Sequence, residues 1–252
     1  MKVFTLLILL SILSGCTASQ NETTKTELTV SAAVSLKEAM EEVVLLFEET
    51  NNIDIQLNLA SSGTLSKQIE QGAPVDVFLS ANNEEFDKLV KNKKVRENSV
   101  VHLLKNKLVV ISSSSSEIDS LAESMKSETF AIGLPETVPA GLYAKEALIN
   151  LGKWESIEGN IIYAKDVRQV LSYVETGNVQ AGIVYKTDAF ITDKVNEIFT
   201  FDDFLHSPII YPVGVTESTK EINAALEFSD FLQTEEALGV FKKHGFDMMN
   251  EE

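Results

Sequence analysis

Residues 28–49, LTVSAAVSLKEAMEEVVLLFEE, change period part-way along. Positions 28–33 are small, apolar or β-branched and too few for a helix, which predicts a strand. From Ser35 the apolar residues fall at Leu36, Ala39, Met40, Val43, Val44 and Phe47, the one-sided stripe of an amphipathic helix over 35–49. Ser35 with Glu38 three residues on reads as a capping box, in which hydroxyl and carboxylate satisfy amides that the first turn leaves unpaired. Glu41, Glu42, Glu48 and Glu49 take the solvated face. A strand running directly into a helix is the repeating unit of an α/β fold.

The alternation continues along the chain. A strand over 53–59 leads through Ser61-Ser62-Gly63-Thr64 into a helix that ends near Gly72 and is stopped by Pro74. A strand over 75–79 and a helix over 84–91 make a third unit. After an apolar strand at 108–111, the serine run 112–116 has neither period nor bulk and reads as an exposed loop. A second set follows, with strands at 130–133, 161–163 and 182–185 alternating with helices at 141–151 and 167–176. Gly152 and Gly177 stand where helix stops are expected. A strand at 209–215 and helices at 219–233 and 235–244 close the chain. The pattern predicts an α/β protein of two halves, each a mainly parallel sheet flanked by helices.

Residues 1–15, MKVFTLLILLSILSG, place one lysine before an apolar run over 3–13. That run is short of the ~20 residues that span a bilayer, and small residues follow it, so it reads as a secretory signal peptide. The only cysteine, Cys16, comes next, and Leu13-Ser14-Gly15-Cys16 resembles the lipobox of bacterial lipoproteins. The resemblance implies lipid on Cys16, an anchor in the cell membrane, an extracytoplasmic location and a flexible tether over 16–26. The formal charge is −17, and removing 1–15 takes away Lys2 and no acid, leaving the chain more acidic still. So acidic a chain offers no surface for nucleic acid, which needs clustered cations to replace counterions. One cysteine excludes an intrachain disulfide, and histidines at 102, 206 and 244 have no zinc spacing.

Enzyme templates are absent: no dinucleotide fingerprint, Walker loop, nucleophile elbow or His-Glu-x-x-His is present. The expectation is a protein that is not an enzyme and carries no cofactor. What recurs is a strand, a small or hydroxyl residue and a helix start, at Ala33-Val34-Ser35, Ala60-Ser61-Ser62-Gly63, Val138-Pro139-Ala140-Gly141 and Ala164-Lys165-Asp166-Val167. Each presents amides without helical partners and a positive dipole end at the carboxyl edge of a sheet, where open α/β folds bind ligands. Four such ends suit an anion, although routine capping explains each one singly. Asp166 and Arg168, two apart, do not face each other on a helix, so capping and solvation are expected of them. Trp154 is expected to pack a helix end against its lobe.

The stretches SAAVSLKEAM (31–40), LASSGTLSKQIEQGAPVDVFLSA (59–81), LPETVPAGLYAKEALINLG (134–152), AKDVRQVL (164–171), GIVYKTDA (182–189) and YPVGV (211–215) resemble, in order, the molybdate-binding proteins of bacterial ABC transporters. The resemblance implies a two-domain periplasmic-binding-protein type II fold with the ligand in the cleft between lobes, 27–104 and 217–252 forming the first lobe and 105–216 the second. It also implies that molybdate or tungstate is held without a cation, by Ser35, Ser62 and Tyr185 through hydroxyls and by Ala140 and Val167 through main-chain N–H, with no direct metal ligand. Gly63 stands where many relatives carry another serine, and Ser31 where they carry an apolar or aromatic residue. A fully deprotonated dianion offers acceptors only, which a shell of donors matches; hydrogen phosphate brings a donor that the shell does not. The implied function is capture of molybdate or tungstate and delivery to an ABC permease by a monomeric lipoprotein. The alternatives are a receptor for another tetrahedral oxyanion, such as sulfate or thiosulfate, and, from other classes, a surface enzyme or an adhesin on this fold.

Overall fold

A computed structural model describes residues 25–249, so the signal peptide and Cys16 lie outside the described residues. β1 (Thr26–Ala33) passes through a single 3-10 turn, Val34–Leu36, into α1 (Lys37–Thr50), followed by β2 (Ile53–Ala60), α2 (Ser62–Glu70), β3 (Val77–Leu79), α3 (Asn83–Lys91) and β4 (Val101–Lys105). The second lobe holds β5 (Leu108–Ser113), α4 (Leu121–Ser124), β6 (Phe130–Gly133), α5 (Pro139–Asn150), α6 (Trp154–Ile157), β7 (Ile161–Ala164), α7 (Val167–Glu175), β8 (Ala181–Tyr185), α8 (Lys186–Phe190) and β9 (Val195–Thr200). The chain returns through β10 (Ile210–Val215) and ends with α9 (Ile222–Phe231), α10 (Glu235–Lys243) and β11 (Asp247–Met248).

The first sheet has the order β11-β4-β10-β3-β1-β2 and the second β7-β6-β8-β5-β9. In each sheet three strands, β2-β1-β3 and β7-β6-β8, pair in parallel. The remaining pairings, those of β10, β11 and β5, are antiparallel. The sheets are therefore mixed rather than mainly parallel, because the strands that carry the chain between lobes enter against the direction of their neighbours. The second lobe boundary, expected near 216, lies between Thr200 and Ile210, since β10 pairs with β3 and β4 in the first sheet. β1 likewise begins inside the stretch expected to be tether, and Lys25 pairs with Asp54 at 2.7 Å.

Local pattern accounts for most elements. The buried residues of α1 are Ala39, Met40, Val43, Val44 and Phe47, the expected stripe. Along β3 the side chains alternate: Val77 and Leu79 join the main core, while Phe78 enters a smaller cluster with Leu65, Ile69, Phe86 and Leu89. Phe78 stacks on Phe86 at 5.6 Å. Gly152 and Gly177 close α5 and α7 with φ of 65° and 70°, left-handed values that cost glycine nothing. Asp76, just before β3, is a stitch: its carboxylate accepts Thr29 N at 2.8 Å and Thr219 Oγ1 at 2.6 Å, tying β1 to the segment before α9. Trp154 is buried, and Lys145 Nζ lies 5.1 Å from its ring centre.

Candidate anion-binding site

Ser35, Ser62, Ala140, Val167 and Tyr185 come together as the lining of one cleft, with Val34, Ser61, Ala81 and Pro139 among their neighbours. All five are at least nine-tenths buried. The 3-10 turn after β1 and the starts of α2, α5 and α7 supply the first four, and the carboxyl end of β8 supplies Tyr185. Ala140 and Val167 stand in the first turns of α5 and α7, whose amides have no intrahelical acceptor. Among the described residues no Lys, Arg or His lines the cleft, so its positive potential comes from helix ends and hydroxyl dipoles.

The hydroxyls are not interchangeable. Ser62 Oγ accepts Ala81 N at 2.8 Å, which leaves its proton for another acceptor. Ser35 Oγ lies 3.0 Å from Tyr211 Oη. Tyr185 Oη is buried without a hydrogen-bond partner among the described residues, and burial holds its phenol well above the ordinary range, so it stays a donor. A buried donor left unmatched costs about 1–3 kcal/mol, which an incoming acceptor recovers.

Ser35 and Glu38 do not form the expected capping box; no side chain caps α1. Ser35 faces Tyr211, and Glu38 is taken by Arg168 of the other lobe. Arg168 is not solvated either: its Nη1 donates to Glu38 Oε1 at 3.1 Å, its Nη2 to the Ser35 carbonyl at 3.3 Å and to Glu38 Oε2, and its Nε stands 2.8 Å from Asp188 Oδ1 as an ion pair. Asp188 Oδ2 accepts Tyr185 N at 3.2 Å. Asp166 does cap α7, accepting Gln169 N at 2.8 Å. Burial pushes the Asp188 carboxyl up to about 7, against the downward pull of Arg168 and of the Tyr185 amide. Arg168 thus ties the backbone of one expected ligand, Ser35, to the Asp188 carboxylate that holds the amide of another, Tyr185. Its charge is spent on two carboxylates and is not free for an anion.

Two further contacts bridge the lobes: Gly63 N donates to Thr137 O at 3.1 Å, and Tyr143 Oη to Ala81 O at 3.2 Å. A Cβ at Gly63 would stand 2.6 Å from Thr137 O and 2.8 Å from its Cα. The glycine at this position lets the lobes touch backbone to backbone. Gly63→Ala is therefore expected to act on closure alone. Overpacking costs about 1–3 kcal/mol, and confined to the closed state it lowers anion affinity about 5- to 100-fold. Calorimetric titration beside an anion-free melting curve checks this: affinity falls while the melting temperature stays put.

The sequence reading missed Asn106, Thr137, Asp188 and Tyr211 as neighbours of the cleft, although Thr137, Asp188 and Tyr211 lay within stretches quoted for the resemblance. Asn106 and Thr137 carry no signal in a single sequence, because each matters through a contact with a residue far along the chain.

Comparison with known proteins agrees with this architecture. The family model described as bacterial extracellular solute-binding protein matches residues 28–247. YvgL of Bacillus subtilis, assigned as an ABC transporter substrate-binding lipoprotein, is 44% identical over 93% of both chains. The molybdate-binding protein ModA of Escherichia coli is 38% identical over 87% of this chain and 88% of its own. Among solved structures, the substrate-binding domain of an assigned molybdenum ABC transporter from Clostridium difficile superposes with a TM-score of 0.71 at 37% identity, covering 90% of this chain and all of that one. The chain belongs to the bacterial extracellular solute-binding proteins, in the branch that contains the ModA molybdate-binding proteins. These are extracytoplasmic receptors of ABC transporters and not enzymes.

Proposed function

We propose that the chain captures molybdate or tungstate between its lobes and delivers it to an ABC permease, as a monomer held at the membrane by lipid on Cys16. The observation that carries this reading is the convergence of three buried hydroxyls and the first turns of α2, α5 and α7 on one cation-free cleft. Such a shell offers donors only. A tetrahedral dianion without protons matches it at every oxygen, and the absence of a cation keeps release cheap when the lobes part. Ser35 and Ser62 belong to one lobe and Ala140, Val167 and Tyr185 to the other, so the shell is complete only when closed, and the anion draws the equilibrium toward closure. Sulfate has the same charge and acceptors; the names of the relatives favour the larger anions, and cleft size is the property that would separate them. The lipid anchor is supported by the lipobox-like Leu13-Ser14-Gly15-Cys16 and by the name of the Bacillus relative.

Ser62→Ala removes one charge-assisted donor, worth about 1.5–3 kcal/mol, and is expected to weaken molybdate binding about 10- to 100-fold. It also orphans Ala81 N, so a modest fall in melting temperature accompanies it. Titration calorimetry showing unchanged affinity would remove Ser62 from the shell. The function itself is tested by melting residues 17–252 against molybdate, tungstate, sulfate, phosphate and chloride, since a ligand that binds only the folded state raises the transition. A rise with molybdate and tungstate is expected; a rise with sulfate alone would transfer the role to a sulfate receptor.

A further inference from the structure

Behind Ser35 lies a chain of buried polar groups whose hydrogen-bond directions can be worked out from one fixed donor. It starts at a main-chain amide: Lys107 N donates to Asn106 Oδ1 at 2.9 Å. A backbone N–H can only donate, so that oxygen is the acceptor and the amide cannot be flipped. Both hydrogens of Asn106 Nδ2 are then donors, one to Thr187 Oγ1 at 2.8 Å and one to Tyr211 Oη at 3.2 Å. Tyr211 Oη accepts from Asn106 and has one proton left to give. Its other neighbour is Ser35 Oγ at 3.0 Å. Burial holds the Tyr211 phenol far above the ordinary range, so this proton is never lost in solution. Giving that proton to Ser35 Oγ is the arrangement that leaves no buried phenol donor unmatched, so we take Ser35 Oγ as the acceptor, with its own proton turned away from Tyr211 toward the cleft that it lines.

We propose that Asn106 and Tyr211 are positioning residues that fix Ser35 as an obligate donor, and that this polarity is what excludes oxyanions carrying a proton. The inference rests on the reading of the cleft as an oxyanion site and deepens it. Ser62 is set the same way by a single amide, Ala81 N. For Ser35 the setting takes two side chains, and their placement gives it a second meaning. Asn106 stands in the crossing between β4 and β5, Thr187 in α8 of the second lobe, and Tyr211 in β10 at the register shift between Tyr211 and Pro212. Such an irregularity re-aims a side chain, and here it accompanies a phenol directed at Ser35. The donor direction at Ser35 is thus referenced to the connection between lobes, not to its own helix.

Two substitutions separate direction from structure. Tyr211→Phe keeps the ring, which meets Tyr185 and Phe246 edge-on at 6.0 and 5.4 Å, and deletes the fixed donor, so Ser35 becomes free to rotate. Asn106→Asp keeps the size and reverses the chain: a carboxylate accepts the Tyr211 proton, Tyr211 accepts from Ser35, and Ser35 presents lone pairs to the cleft. The added charge weakens every dianion, so the readout is a ratio. Molybdate and sulfate affinities are compared with that of hydrogen phosphate, measured by displacement of bound molybdate at mildly alkaline pH, where phosphate carries one proton and two charges. The wild type is expected to bind molybdate and resist displacement by phosphate. In both variants the ratio is expected to move toward phosphate by about tenfold or more, one buried hydrogen bond's worth. Folded variants whose affinities for all three anions fall in proportion would overturn the relay while leaving the oxyanion site intact. A wild type that binds none of them would overturn the site reading and this proposal with it.

Discussion

Gly141→Ala is expected to cost about 4 kcal/mol or more, a large fraction of the about 5–15 kcal/mol that holds a typical domain folded. The cause is a backbone-on-backbone contact beneath the cleft. A Cβ at Gly141 would stand 1.9 Å from Gly133 O and 2.5 Å from its carbonyl carbon, so the first turn of α5 rests directly on the end of β6. Nothing there can rotate aside, because the obstructing atoms are main chain at the carboxyl end of β6, an interior strand of its sheet. Relief requires α5 to lift, and α5 carries Ala140 with its first-turn amide as well as buried Tyr143, Ala144, Ala147 and Leu148. Urea unfolding checks the prediction; a midpoint within a few tenths of a molar of the wild type would show that α5 has freedom the geometry denies it.

Arg168→Met is expected to cost about 3–5 kcal/mol, the loss that follows when one partner of a buried ion pair is removed. Methionine restores most of the volume, so the deficit is electrostatic. Asp188 is fully buried, with a carboxyl raised from 3.8 to about 7 even beside Arg168. A carboxyl raised in the folded state favours folding by proton uptake below its unfolded pKa, and that contribution disappears as pH climbs through the folded value. For the wild type this window lies between 3.8 and about 7. Without Arg168 the carboxyl is raised further, so the deficit is largest at alkaline pH and shrinks on acidification. Unfolding at two pH values checks the sign: a deficit that grows toward acid would refute the assignment of Arg168 as the partner of Asp188. The same substitution unfastens Glu38 of the opposite lobe, so anion binding falls beyond what stability explains.

The parts legible in sequence are those whose signal is local. The α1 stripe, the parallel strand–helix units and the helix starts follow from periods and caps that fit within ten or fifteen residues. β4, β9 and β11 escaped because VHLLK is short, VNEIFT is a half-exposed strand at a sheet edge, and β11 has two residues; none alternates long enough to stand out. The capping box misled for a physical reason. Ser35 and Glu38 have the right types and spacing, yet their partners, Tyr211 and Arg168, lie 176 and 130 residues away and compete successfully for the same groups. Arg168 looked solvated because helix geometry forbids a pair with Asp166, which is correct and says nothing of the opposite lobe. The five residues implied by family resemblance came together in one cleft; what periodicity alone offered was four helix starts with no means of choosing capping or binding.

The most direct test is an anomalous difference map from crystals of residues 17–252 grown with molybdate, collected at the molybdenum edge. The account predicts one strong peak enclosed by Ser35, Ser62, Ala140, Val167 and Tyr185, with the Ser and Tyr oxygens and the two amides in hydrogen-bond contact with the anion's oxygens. A cleft empty of molybdenum in crystals whose surface sites are occupied, or a peak held by lysines outside it, would contradict it.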